Sequence, residues 1–120
     1  MLRARIIPCL LLRDGGLVKT QKFKDARYVG DPINAVKIFN EKEADELMVF
    51  DIDASVKTIE PDFNLIEKLA AESRMPLCYG GGVTRVDQAA KIIAMGVEKV
   101  AVSAAAIETP SLLTEMGAAV

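Results

Sequence analysis

The chain has 120 residues, 51% hydrophobic and 27% charged, with 15 Lys and Arg against 17 Asp and Glu for a formal net charge of −2, which suits one domain over 1–120 with a real core. Near-balanced charge, with no basic block and no cluster of stacking aromatics, argues against nucleic acid or an anionic membrane as partner. No apolar run reaches the roughly 18 residues of a membrane-spanning helix, "MLRARIIPCLLLRDGG" is too short and charge-interrupted for a signal peptide, and histidine is absent, so a cytoplasmic protein without imidazole catalysis or His-ligated metal is expected.

"RIIPCLLL" (5–12) is a branched apolar run closed by "RDGG", the pattern of a buried strand ending in a turn. The polar stretch "GLVKTQKFKDARYVG" follows, then "DPINAVKIFNEKEA", where Asp31 can cap, Pro32 suits a first helical position, and Ile33, Val36, Ile38 and Phe39 recur at helical spacing. "ELMVFDI" reads as a second strand and "PDFNLIEKLAAES" as a helix with Phe63, Ile66, Leu69 and Ala70 inward. "MPLCYGGG" is a third strand, "RVDQAAKIIAMG" a helix ending at Gly96, "KVAVS" a fourth strand, and "TPSLLTEMG" opens another helix at Pro110. Cys9 and Cys78 each lie in an apolar run and read as two buried thiols rather than a disulfide or metal pair.

Strand and helix alternate four times, which calls for parallel strands, covered on both faces and joined by right-handed crossovers. The unit length of about 25–45 residues predicts a (βα)4 half of a (β/α)8 TIM barrel, whose usual length is about 250 residues; a small open α/β sheet fits the same pattern. A half-barrel leaves its first and fourth strands with unpaired edges, so self-association, as a homodimer or higher even oligomer, or a missing C-terminal half is expected.

Ligands of parallel α/β folds sit at the carboxyl ends of the strands. Those ends offer Leu11, Arg13, Asp14 and Lys19; Asp51 and Asp53; Gly80, Gly81 and Gly82; and Ser103 followed by Ala104. Three consecutive glycines can form a nest of backbone N–H groups for a phosphate, or simply a tight turn. Asp51 and Asp53 have a period-two relation and suit acid–base work or hydroxyl binding, or else capping; no third carboxylate is spaced for a metal. At the opposite ends stand Arg5, Glu46 and Lys99, which spacing alone reads as solvated flanking charges and which converge only if a barrel mouth gathers them.

"RIIPCLLLRDGGLVKT", "GDPINAVKIFNEKEADELMVFDIDAS", "MPLCYGGGV" and "GVEKVAVSAAAIETPSL" together resemble the N-terminal half of the cyclase subunit of imidazole glycerol phosphate synthase, a (β/α)8 barrel of histidine biosynthesis. The resemblance runs from Met1 to Val120 and implies an amidotransferase (glutaminase) partner that delivers ammonia to the bottom of the barrel, and a phosphorylated substrate at its top. It makes Arg5, Glu46 and Lys99 three members of a charged ammonia gate. It puts Gly81, Gly82, Ser103 and Ala104 at a substrate phosphate, Lys19 on the loop over the site, Asp51 after the second strand, and Glu98 at the glutaminase contact. No cofactor is implied.

This chain departs from the family pattern in two ways. Leu11 stands where the family has its first catalytic aspartate, and a leucine cannot move a proton; the second belongs to a fifth strand that these residues lack. The phosphate pair is altered too, since Ser103 and Ala104 replace asparagine and threonine. Cyclase (lyase) activity is therefore not expected of the chain alone. Pro8, Leu11 and "GGLVKT" resemble a branch of the family associated with surface-polysaccharide genes, which keeps the ammonia route and amidates a sugar. A reading from another class is a non-catalytic, self-assembling, phosphate-binding half-barrel scaffold.

Overall fold

The computed structural model describes residues 4–13, 16–19, 27–52, 60–102 and 110–119. In chain order the elements are β1 (Cys9–Arg13), β2 (Gly16–Lys19), β3 (Arg27–Gly30), α1 (Pro32–Glu41), β4 (Leu47–Asp51), α2 (Phe63–Glu72), β5 (Leu77–Gly80), α3 (Val86–Ala94), β6 (Lys99–Ala101) and α4 (Ser111–Ala119). The strands form one sheet in the order β3-β2-β1-β4-β5-β6. β1, β4, β5 and β6 are parallel neighbours, and β2 and β3 add an antiparallel hairpin beside β1.

The four parallel strands follow chain order without reversal. A doubly wound sheet reverses its order and so places helices on both faces. Successive right-handed crossovers in one direction put every helix on the same face. Here α1 packs on α2, α2 on α3 and α3 on α4. The chain is a (βα)4 half of a TIM barrel, with helices outside and the other sheet face left as the concave lining.

Local chemistry explains where α1 and α2 start. The Asp31 carboxylate accepts from the Ile33 N–H at 3.0 Å, with Pro32 at the first helical position, and Asp62 accepts from Leu65 N–H at 3.1 Å. α3 ends at Ala94 with Met95 as its C-cap, and Gly96 takes φ +106° to leave it. Val36, Leu47, Val49, Ile66, Leu69 and Ile92 are essentially unexposed in the layer between sheet and helices. Each contributes about 1.5–3 kcal/mol by burial. Asn40 ties α1 to the end of α2, donating to the Glu72 carbonyl and accepting from the Arg74 N–H, both at 2.9 Å. Among the described residues no helix is long and apolar enough to cross a membrane.

Several expectations need correction. The stretch read as polar connection contains β2 and β3, and β2 pairs with Leu11–Arg13. The first strand's edge is therefore covered over its C-terminal half. Coverage of both faces holds for β5, where all four residues are buried, and not along β4, where Leu47 and Val49 are buried while Met48 and Phe50 are only half-buried. Cys9 is exposed on that lining face, and only Cys78 is buried. Ile38 shares helical spacing with Val36 and Phe39, yet it turns outward and is exposed.

Candidate functional site at the two rims of the half-barrel

Register decides which side chains meet on the concave face. Cys9 pairs with Met48, Met48 with Cys78, and Cys78 with Lys99; one level up, Leu11 pairs with Phe50, Phe50 with Gly80, and Gly80 with Ala101. Partners in register share a face. At the N-terminal rim, Ile6 and Asp45 are fastened together: the Ile6 N–H donates to the Asp45 carboxylate at 2.7 Å, and the Asp45 N–H to the Ile6 carbonyl at 3.1 Å. That sets Arg5 beside Glu46. The guanidinium lies 2.8 Å from Glu46 Oε1, and Lys99 Nζ, reaching across β5, lies 3.2 Å from the same oxygen.

Arg5, Glu46 and Lys99 thus form one cluster rather than three separate solvated charges. The Glu46 side chain is 12% exposed, while Arg5 and Lys99 remain 66% and 55% exposed. Hydrogen bonding to Glu46 holds the Lys99 ammonium's pKa above its usual value, with Glu98 adding at 3.6 Å. One level further in, partial burial raises the pKa of both thiols, opposed at Cys78 by the Lys99 charge. Both are poor nucleophiles at neutral pH.

At the C-terminal rim, Gly81 takes φ +123° and Gly82 φ +73°. Only glycine adopts these angles without strain; Gly81 is half-buried and Gly82 buried, and the glycines add no side chain over their N–H groups. A Cβ on Gly81 would lie 2.6 Å from the Asp51 carbonyl oxygen, so the glycine turn and the end of β4 are in direct backbone contact. Alternation sets Asp51 on the helix-facing side with Leu47 and Val49. The concave side carries Phe50, whose ring occupies the space a Cβ on Gly80 would need. With Leu11 alongside in register, the floor of this rim is apolar where the predicted chemistry would put a carboxylate.

Lys19 ends β2, paired with Arg27 of β3. Asp14, Asp53, Ser103 and Ala104 lie outside the described residues. Three residues of this rim escaped sequence reasoning: Phe50, Tyr79 and Gln88. Only Gln88 carried a signal, a glutamine three positions into a helix, which is the capping-box pattern.

A family model described as histidine biosynthesis protein matches residues 5–120. The chain belongs to that family. It is 61% identical over 116 residues to a putative imidazole glycerol phosphate synthase subunit hisF3 of Vibrio vulnificus, covering 97% of this chain and 45% of that protein. A putative imidazole glycerol phosphate synthase subunit HisF of Leptospira borgpetersenii is 63% identical over 116 residues, 97% of this chain and 46% of its own length. The imidazole glycerol phosphate synthase subunit HisF of Methanococcus maripaludis (strain C5) is 39% identical over 115 residues, 96% and 42% of the two chains. The chain spans about half the length of the curated relatives it matches.

Proposed function

We propose that the chain is the N-terminal half-barrel of an amidotransferase-linked synthase, receiving ammonia from a glutaminase partner at one rim and holding a phosphorylated substrate at the other. The observation that carries this reading is the joining of Arg5, Glu46 and Lys99 into one ionic cluster at the N-terminal rim. Charges of opposite sign held together there neutralise one another and close the mouth to ions, while a neutral ammonia molecule passes when the cluster opens. Glu98, beside Lys99, is the proposed contact with the glutaminase. The Gly81–Gly82 turn, with Ser103 and Ala104, receives the phosphate; Lys19 contributes from the end of β2, and Asp51 at the end of β4 backs the glycine turn.

Leu11 shapes the chemistry. It stands level with Phe50 on the concave face, so the substrate meets an apolar floor and no general acid from β1. The cyclase step of histidine biosynthesis therefore should not run on this chain, and amidation of a phosphorylated sugar, which keeps the ammonia route and changes the acceptor, is the branch this floor favours. Ammonia-dependent consumption of the histidine-pathway intermediate tests it. No turnover is expected above the uncatalysed rate, and appreciable turnover by the unchanged chain would overturn the role given to Leu11.

Self-association belongs to the same reading. β6 ends the sheet with a cleft of about 420 Å³ beside it, lined by Ile93, Val100, Leu113 and Met116 among others. On the opposite side of the four parallel strands, before the stretch that β2 covers, Ile6 is 68% exposed on the extended segment preceding β1. Two four-stranded halves make the eight strands of a closed barrel. Sedimentation at micromolar concentration should give a dimer or larger even assembly; a monodisperse monomer would remove this part of the proposal.

A further inference from the structure

We propose that Tyr79 and Gln88 are positioning residues that aim the backbone N–H groups of the Gly81–Gly82 turn at a bound phosphate, an inference that rests on the phosphate reading above and deepens it. Tyr79 precedes the last residue of β5 and faces the helix layer, where it is 2% exposed. Its hydroxyl donates to the Gly81 carbonyl oxygen at 3.0 Å. In a trans peptide the C=O and the following N–H point in opposite directions, and no cis bond occurs among the described residues. Pinning the Gly81 oxygen toward Tyr79 therefore turns the Gly82 N–H to the opposite side of that peptide, away from the Tyr79 hydroxyl.

Phenylalanine would fill the same space, so packing alone does not call for the hydroxyl. The donor is also permanent. Burial, with the Asp51 and Asp62 carboxylates nearby, pushes the phenol's pKa far above its usual value, so Tyr79 keeps its proton.

Gln88 works from the other side of the turn. It is 2% exposed in the first turn of α3. Its Oε1 accepts from the Thr84 N–H at 2.8 Å, the Arg85 N–H at 3.1 Å and the Thr84 hydroxyl at 3.3 Å, while its Nε2 donates to Glu60 at 3.2 Å. Arg85 holds the same Glu60 oxygen at 2.6 Å. The positive end of a helix attracts anions through its free N–H groups. Gln88 occupies two such donors at the entrance to α3. That directs an anion upstream, to the glycine turn Tyr79 orients.

The test is a titration of the chain with inorganic phosphate, followed by amide shifts, in the unchanged protein and in Tyr79→Phe, Gln88→Met and Leu77→Ala. Tyr79→Phe should weaken the constant read at Gly81 and Gly82 about five-fold, the worth of one neutral hydrogen bond. Gln88→Met should spread the shifts downstream to Thr84 and Arg85, whose N–H groups it releases. Leu77→Ala, a core truncation on the same strand, should lower the melting temperature while leaving the constant unchanged, which separates positioning from stability. Equal affinity in Tyr79→Phe and the unchanged chain would overturn the positioning role and leave the phosphate reading standing. Absence of any shift at Gly81 and Gly82 in the unchanged chain would overturn both.

Discussion

Gly81→Ala should destabilise the chain by about 3–5 kcal/mol, combining the cost of a non-glycine residue in a sparsely populated backbone region with that of forced overpacking. The added Cβ would sit 2.6 Å from the Asp51 carbonyl oxygen, 2.9 Å from its Cβ and 3.0 Å from its nitrogen, at φ +123°. Two of those atoms are backbone of β4, which is paired on both sides by β1 and β5. No rotamer change relieves the clash; the turn or the strand must move. Gly117→Ala in α4 supplies the contrast, since nothing lies within 4 Å of the Cβ it would add, and the helix should gain about 0.5–1 kcal/mol. Urea denaturation of both variants is the check. A loss below about 1 kcal/mol for Gly81→Ala would mean that the glycine turn does not pack on Asp51 as described.

The second large effect is expected at the opposite rim. Glu46→Lys replaces the shared carboxylate by a third cation between Arg5 and Lys99, whose charges now meet at Glu46 within 3.2 Å. Both cations are more than half exposed, so solvent screens them and the original bridges contribute modestly. Reversal does more than removal, because attraction becomes repulsion at a nearly unexposed position. The melting temperature should fall by roughly 5 °C in about 20 mM salt and recover most of that loss near 1 M, where the screening length is only about 3 Å. Glu46→Gln keeps an acceptor and should fall less. A loss independent of salt would show that Glu46 matters through packing rather than charge.

Much of the fold was legible in the sequence because each βα unit announces itself twice, by an apolar strand and by a capped helix. Asp31 was visible as a cap, and the inward residues Ile66 and Leu69 follow from a period of 3.6. The hairpin was not legible. β2 and β3 are four residues each within a polar stretch, too short for alternation to stand out, and their pairing is set by β1.

The two rims were legible to different degrees. A triple glycine after a strand carries its own signal, since few other sequences permit two successive positive-φ residues. The ionic cluster carries none: Arg5, Glu46 and Lys99 are far apart in the chain, and only strand register brings them together. Family resemblance anticipated that meeting where spacing alone favoured solvated charges. Tyr79 lay hidden for a third reason. In an apolar run an aromatic reads as core, which it is, and the direction of its hydroxyl depends on the turn two residues on.

The most direct measurement is a crystal structure of the chain grown in phosphate. The predicted result is a curved four-stranded parallel wall with helices on one face, an anion within hydrogen-bonding distance of the Gly82 N–H, and Arg5, Glu46 and Lys99 joined at the opposite rim. A flat sheet with helices on both faces, or an anion seated on Arg5 and Lys99 with the glycine turn empty, would contradict it.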